Sequence, residues 1–167
     1  MISARETTKT TSFFAPRREL GRTGFIASVL GAGDLADRSL PLETCVATLR
    51  RAIDAGLNVV DTAPGYEDGY SEQIVGQAVK GVRERLFIVS KIDDLLAPVA
   101  PQIEDSLRRL ELEYTDAFVF HGLSDMATLE KLMAPGGGFD QLADCIKAGK
   151  TRFNGISSHN PDILRPM

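Results

Sequence analysis

Asp61, Tyr66, Lys91 and His121 are side chains whose types suit the delivery of a proton to a carbonyl oxygen. A tyrosine ordinarily titrates near pH 10, so it gives up a proton near neutrality only where its phenolate is stabilised. The Lys91 ammonium is suited to that task. A lysine drawn into a region of low dielectric needs a counter-charge in turn, and Asp61 can supply one. His121 would orient the carbonyl oxygen or relay its proton. Taken singly, each residue has an ordinary alternative: Asp61 as a cap after a strand, Tyr66 as a loop aromatic, His121 as a satisfied structural imidazole. A lysine closing an apolar strand is harder to dismiss, because lysine is seldom buried without a partner or a task.

The pattern of the chain is what makes these four a set. Short apolar runs alternate with helical periodicity, the mark of repeated βα units and a parallel sheet. Strands are expected at 27–31, 57–61, 86–91, 116–121 and 151–157, and the first four end 30 residues apart, one βα unit each. Runs such as Phe87-Ile88-Val89 and Phe118-Val119-Phe120 are continuously apolar, as in strands covered on both faces. In parallel β/α folds the loops after the C-terminal strand ends build the ligand site. Asp61, Lys91 and His121 end strands and Tyr66 lies in the loop after one, so all four are expected on one rim.

Helical spacing supplies the intervening elements. Leu42, Val46, Leu49 and Ile53 share a face closed by Gly56, and Ser71 is the expected N-cap of a helix burying Ile74, Val75, Ala78 and Val79 before Gly81. Ile103, Leu107 and Leu110 mark a third helix. Leu129 and Leu132 mark a short one, followed by the loop Gly136-Gly137-Gly138 and a helix through Phe139, Leu142 and Ile146 to Gly149. Ahead of all these, 18–26 reads as a β-hairpin turned by glycines, placed to plug one end of a barrel.

Two other patterns compete for the same residues. Gly31-Ala32-Gly33-Asp34-Leu35-Ala36 matches G-x-G-x-x-A after a strand, but Ser39-Leu40-Pro41 delays the next helix and Asp61 lies 30 residues beyond Gly31, too far for a dinucleotide turn. A divalent metal held by Asp61, His121, Asp93 and Asp94 would compete with the Lys91 cation for the same carboxylates. No metal is expected.

Composition narrows the classes. The 167 residues are 43% apolar and 25% charged, enough for a packed core. Nineteen basic against 23 acidic residues are interspersed, with no basic block to follow a phosphate backbone, so nucleic acid is not an expected partner. Apolar runs fall far short of the roughly 20 residues a spanning helix needs. Cys45 and Cys145 sit in helical stretches and read as reduced core thiols. The Thr- and Ser-rich 1–16 has no apolar h-region, which leads to the expectation of a disordered tail on a cytoplasmic protein.

Val59-Val60-Asp61-Thr62-Ala63-Pro64-Gly65-Tyr66, Val89-Ser90-Lys91 and Phe120-His121 together resemble the catalytic tetrad of the aldo-keto reductase family, from the Leu20-Gly21-Arg22-Thr23-Gly24 hairpin to His159. That resemblance implies an α/β fold of (β/α)8 TIM-barrel type and hydride transfer from C4 of NADPH to an aldehyde or ketone. It makes Tyr66 the general acid, Lys91 and Asp61 its tuning pair, and His121 the group aligning the carbonyl. NADP(H) is the implied cofactor, with NAD(H) left open. Gly33 and Asp34 lie in the implied cofactor loop, although Asp34 stands where the family commonly has threonine. Gly155-Ile156-Ser157-Ser158 resembles a Gly-x-Ser-Asn stretch that holds the nicotinamide carboxamide, with Ser158 in place of asparagine.

A complete (β/α)8 barrel takes about 250 residues and rarely fewer than about 200. About five of eight units are expected in 17–167, truncated after the fifth strand, with Asn160-Pro161 starting a helix that Pro166 cuts short. Open strand edges would make such a chain weakly stable. A carbonyl reductase inactive in this form is the leading expectation. A non-catalytic binding or regulatory protein, or a degenerate fragment of the same fold, is the alternative.

Overall fold

The computed structural model describes residues 16–165. The expected tail lies outside the described residues except for Pro16, as do Pro166 and Met167. The hairpin pairs β1 (Arg17–Glu19) with β2 (Ile26–Ser28) antiparallel. Between them Gly21 and Gly24 take φ of 53° and 72°, and Leu20 N–H donates to Phe25 O at 2.9 Å.

The first barrel strand was expected at 27–31, and the structure corrects this. Residues up to Ser28 belong to the hairpin, and the position of a first parallel strand is reduced to one bridge, Ala32 with Val60. The cause is local. Asn58 Oδ1 accepts from Ser28 N–H at 2.7 Å, Asn58 N–H donates to Ser28 Oγ at 3.1 Å, and Asn58 Nδ2 donates to Ile26 O at 2.9 Å. Ser28 Oγ also donates to Leu30 O, turning the chain so that Val29 and Leu30 project outward before Ala32 reaches the sheet.

The other strands follow the expected βα rhythm, with ends differing by a residue or two. α1 (Leu42–Asp54) leads to β3 (Val59–Asp61), α2 (Tyr70–Ala78) to β4 (Phe87–Ile92), and α3 (Val99–Leu110) to β5 (Thr115–Phe120). Then come α4 (Met126–Met133), α5 (Gly138–Lys147), β6 (Thr151–Ile156) and the short α6 (Pro161–Leu164). All pairs are parallel and the order β3-β4-β5-β6 is sequential. A doubly wound sheet would reverse its order at a switch point. This one winds in a single direction, as a barrel wall does.

Period-two alternation separates the faces of that wall. Val60, Ile88, Ile92, Phe118 and Phe120 point outward into two cores shared with the helices, one with α1 and α2, the other with α3, α4 and α5. Val59, Asp61, Val89, Lys91, Ala117, Val119, Phe153 and Gly155 have the opposite parity and form the inner face. At its lower end the hairpin closes over them: Phe25 packs on Phe87 with centroids 5.4 Å apart, and Phe87 stacks on Phe153 at 6.0 Å.

The expected Ser71 cap is displaced inward. α2 starts at Tyr70 after Gly69, whose φ of 78° turns the chain, and the Ser71 hydroxyl instead accepts from Thr62 Oγ1 at 2.9 Å. The expected apolar face, Ile74, Val75, Ala78 and Val79, is buried. Both cysteines are buried and unpaired, and burial pushes the Cys145 thiol up, keeping it protonated. No helix among the described residues is long and apolar enough to cross a membrane.

At the lower end of β5, Asp116 is only 1% exposed yet ionically paired. It accepts from Ile88 N–H at 2.8 Å, Arg83 Nη1 at 2.9 Å and Arg152 Nη1 at 3.0 Å, linking three strands. Arg83 is itself mostly buried against the Tyr114 ring. Removing the acid leaves that guanidinium uncompensated, and breaking such a buried pair costs about 3–5 kcal/mol. Asp116→Ala is expected to lower the unfolding free energy by about that amount in urea denaturation. A loss under about 1 kcal/mol would show that the network contributes little.

Candidate active site

The three strand ends and one loop bring Asp61, Tyr66, Lys91 and His121 together at the C-terminal rim of the inner face. Lys91 is 5% exposed, so its charge depends on its partners. Its Nζ donates to Asp61 Oδ1 at 2.5 Å and to Thr62 O at 2.9 Å. Register makes this contact possible: Asp61 pairs with Val89, one inward position below Lys91, and the lysine stem spans the difference. Tyr66 meets the cation through its ring face, with Nζ 4.5 Å from the centroid. The Tyr66 ring also meets His121 edge-on, at 5.7 Å and 81°. His121 N–H continues the sheet ladder to Ile92 O at 3.0 Å, which orients its side chain onto the rim.

Sequence reasoning treated Asp93 only as a metal ligand, yet its Oδ1 lies 2.6 Å from His121 Nδ1. Asp94 is occupied differently: its Oδ1 accepts from the backbone N–H of Leu96 and Ala97, each at 3.1 Å, ahead of α3. With Asp61 on Lys91 and Asp93 on His121, no group of three metal-ligating side chains exists among the described residues.

The loop carrying Tyr66 is held from both ends. Tyr66 N–H donates to Ala63 O at 3.3 Å, and its own carbonyl accepts from Ser71 N–H at 3.4 Å. Glu67, Asp68 and Gly69 follow in left-handed conformation, at φ of 49°, 50° and 78°. Two consecutive non-glycine residues there carry strain, which persists only where the surroundings over-determine it. Arg38 provides part of that constraint, donating to Glu67 O and pairing with its carboxylate at 3.5 Å.

The rest comes from a network that sequence reasoning missed. Glu72, in the first turn of α2, is fully buried. It accepts from Ser90 Oγ at 2.7 Å and from Arg109 Nε at 2.5 Å, while Arg109 Nη2 donates to Ser106 Oγ at 3.2 Å. Ser90 precedes Lys91 and points to the opposite face, so this cluster fixes β4 from behind. The signal was present: Glu72, Val75, Gly76 and Val79 fall at i, i+3, i+4 and i+7, placing an acid on the buried stripe of α2.

The expected cofactor residues are placed less uniformly. Gly33 is exposed with open space around it, and Asp34 Oδ1 accepts from Ala36 N–H at 2.9 Å within its own loop. No helix opens at Gly31, since α1 waits until Leu42. Ser157 joins the rim: its N–H donates to Phe120 O at 2.8 Å, and its Oγ accepts from Gly122 N–H at 3.0 Å. Its hydroxyl donates only a long bond, to Phe120 O at 3.5 Å, weak enough to be exchanged for a better-placed acceptor. The Ser158 hydroxyl is engaged on both sides by Asn160, accepting from its N–H at 2.9 Å and donating to its O at 3.1 Å.

The strained turn before α2 gives a direct test. A Cβ on Gly69 would lie 2.5 Å from Arg109 Cδ, whereas one on Gly81, also left-handed at φ 76°, would meet nothing within 4 Å. Left-handed geometry alone costs an L-residue about 1–2 kcal/mol. Gly69→Ala is expected to destabilise more than Gly81→Ala in parallel urea titrations. Equal losses would mean that Arg109 does not pack against the turn.

A family profile described as "Aldo/keto reductase family" matches residues 29–167. The chain is 41% identical over 119 residues to Methylglyoxal reductase YeaE of Escherichia coli (strain K12), covering 70% of this chain and 39% of that protein. It is 31% identical over 124 residues to the NADH-specific methylglyoxal reductase of the same organism, covering 61% and 38%. Among solved structures it resembles an aldo-keto reductase from Klebsiella pneumoniae in complex with NADPH, with a TM-score of 0.73 and 31% identity over 85% of this chain and 49% of that one. The chain thus spans about half or less of the length of these proteins.

Proposed function

The chain belongs to the aldo/keto reductase family, and from that premise we propose that its rim is the proton-delivering part of an NAD(P)H-dependent carbonyl reductase. The observation that carries this reading is the buried Lys91 ammonium, neutralised by Asp61 at 2.5 Å and laid 4.5 Å from the centre of the Tyr66 ring. A cation so placed favours negative charge building on the tyrosine as its proton leaves.

A reduced nicotinamide, when bound, supplies the hydride that reaches the carbonyl carbon. The residues of this chain do the remainder. Tyr66 gives its hydroxyl proton to the carbonyl oxygen, so that C=O becomes CH–OH and the phenolate waits for a proton from solvent. Lys91 holds its charge against that phenolate, and Asp61 stands beside it as the counter-charge within the wall. His121 stands beside the same oxygen and orients it when its ring carries an Nε2–H. Ser157 fits as the residue that holds the nicotinamide carboxamide, because its hydroxyl can exchange that long bond for a better-placed acceptor. Ser158 could join only by breaking its turn with Asn160, and Gly33 and Asp34 could approach the cofactor only through their loop backbone.

The substrate class is an aldehyde or ketone. Small dicarbonyls are the first candidates, since two relatives are methylglyoxal reductases, one of them NADH-specific. Residues 17–167 serve as one barrel-forming unit in this reading.

The test is a turnover assay with methylglyoxal and either NADPH or NADH. It is run on the 167-residue chain and on a chimera carrying the remaining units of the Klebsiella relative. Tyr66→Phe is expected to lower kcat/KM by about 10²–10⁴-fold, the usual worth of a positioned general acid. Equal reduction by both versions would remove Tyr66 from the mechanism.

A further inference from the structure

Asp93 takes no part in the proton-delivery scheme, yet it occupies a defined place in the rim. It follows Lys91 by two residues and so shares its inward parity, beyond the end of β4. Its Oδ1 lies 2.6 Å from His121 Nδ1, with the two side chains 32% and 30% exposed. Its other oxygen faces the Tyr66 loop: a Cβ on Gly65 would stand 2.5 Å from Asp93 Oδ2. The carboxylate is thus clasped between the imidazole on one side and the glycine preceding Tyr66 on the other. The imidazole in turn meets the Tyr66 ring edge-on, with centroids 5.7 Å apart.

We infer that Asp93 is a positioning residue that fixes the ring orientation and tautomer of His121. This inference rests on the reductase reading only for its functional consequence. An ionised carboxylate has acceptors and no donor, so the hydrogen shared with His121 sits on Nδ1. The neutral imidazole therefore presents a bare Nε2 to the substrate region, able to accept a hydrogen bond and not to donate one. Only as imidazolium does His121 offer an Nε2–H, and Asp93 then balances its charge. Two consequences follow for the rim. With a neutral His121, Tyr66 is the sole proton donor to a carbonyl oxygen. With an alcohol in the same place, the neutral ring accepts its hydroxyl hydrogen.

Gly65 is part of the device. Without a side chain there, the loop backbone can lie on Asp93 and keep the carboxylate turned to His121. The other charged groups of this rim, Lys91 on β4 and Asp61 on β3, are already paired with each other and leave His121 to Asp93.

The chain has two histidines, so the tautomer can be read directly. In ¹⁵N-labelled His159→Gln protein, long-range nitrogen–proton NMR correlations above the imidazole titration should show His121 protonated at Nδ1 and bare at Nε2. Asp93→Ala should release the ring to a mixture of tautomers, and Asp93→Asn should shift the same signals while preserving volume should the alanine variant fold poorly. Gly65→Ala, which displaces the carboxylate without touching the imidazole, should move the spectrum in the direction of Asp93→Ala. An Nε2–H tautomer in the parent protein, or an unchanged tautomer in Asp93→Ala, overturns the proposal. Turnover does not enter this readout, so an Nδ1–H imidazole together with no carbonyl reduction by the chimera would sink the reductase reading and leave the pairing standing.

Discussion

A lysine ammonium held inside a barrel wall is the constraint around which this rim is arranged. Lys91 is nearly inaccessible, and an unpaired charge there would be too costly to keep. It is retained because Asp61 and the Thr62 carbonyl reach it from the neighbouring strand. That requirement fixes more than one contact. It demands that β3 and β4 be parallel, that both residues face inward, and that Asp61 sit one inward step below Lys91. Tyr66 must then cross above the pair, in a loop short enough to lay its ring on the cation. The strained turn at Glu67 and Asp68 is the geometric result.

The outer face of the wall serves that arrangement at both ends of the strands. Below, Asp116 draws β4, β5 and β6 together through Ile88, Arg83 and Arg152. Above, Glu72 and Arg109 hold α2 and α3 against Ser90, immediately beside Lys91. These networks are ionic where the surrounding layer is apolar, and they gain geometry rather than net stability from it. A hydrophobic contact tolerates sliding. A hydrogen-bonded carboxylate has only a few acceptable positions for its partners.

Much of the fold, and the meeting of Asp61, Tyr66, Lys91 and His121 on one rim, was legible in the sequence because both follow periodicities. Apolar runs ending 30 residues apart identified β3, β4 and β5 and named the rim at 61, 91 and 121, and the segment after the helix-ending Gly149 identified β6. The failures have identifiable causes. Residues 27–31 look like a strand by composition, but the Asn58 side chain occupies the hydrogen-bonding groups of Ser28 and Ile26, so the hairpin claims that segment. Ser71 has the right chemistry for a cap, but a glycine two residues earlier turns the chain first. Asp93 was visible only as one of two adjacent acids. Which of them meets His121 is decided by the inward parity of the strand, and that parity was not applied beyond Lys91. Glu72 was hidden because an acid in a first turn looks like ordinary dipole complementarity.

The single rung between Ala32 and Val60 also decides how this molecule comes apart. Two backbone hydrogen bonds, Ala32 N–H to Val59 O and Asp61 N–H to Ala32 O, form the ladder that joins the segment ahead of α1 to β3, with the Asn58 bonds to Ser28 and Ile26 at its lower end. The parallel pairs of the sheet share longer ladders, so this seam has the fewest backbone bonds to break in a local opening. When it opens, the amide beside the Lys91 counter-ion loses its partner first. The rim is therefore built on the boundary between a durable unit and a detachable one, and slow amide exchange should stop at that line.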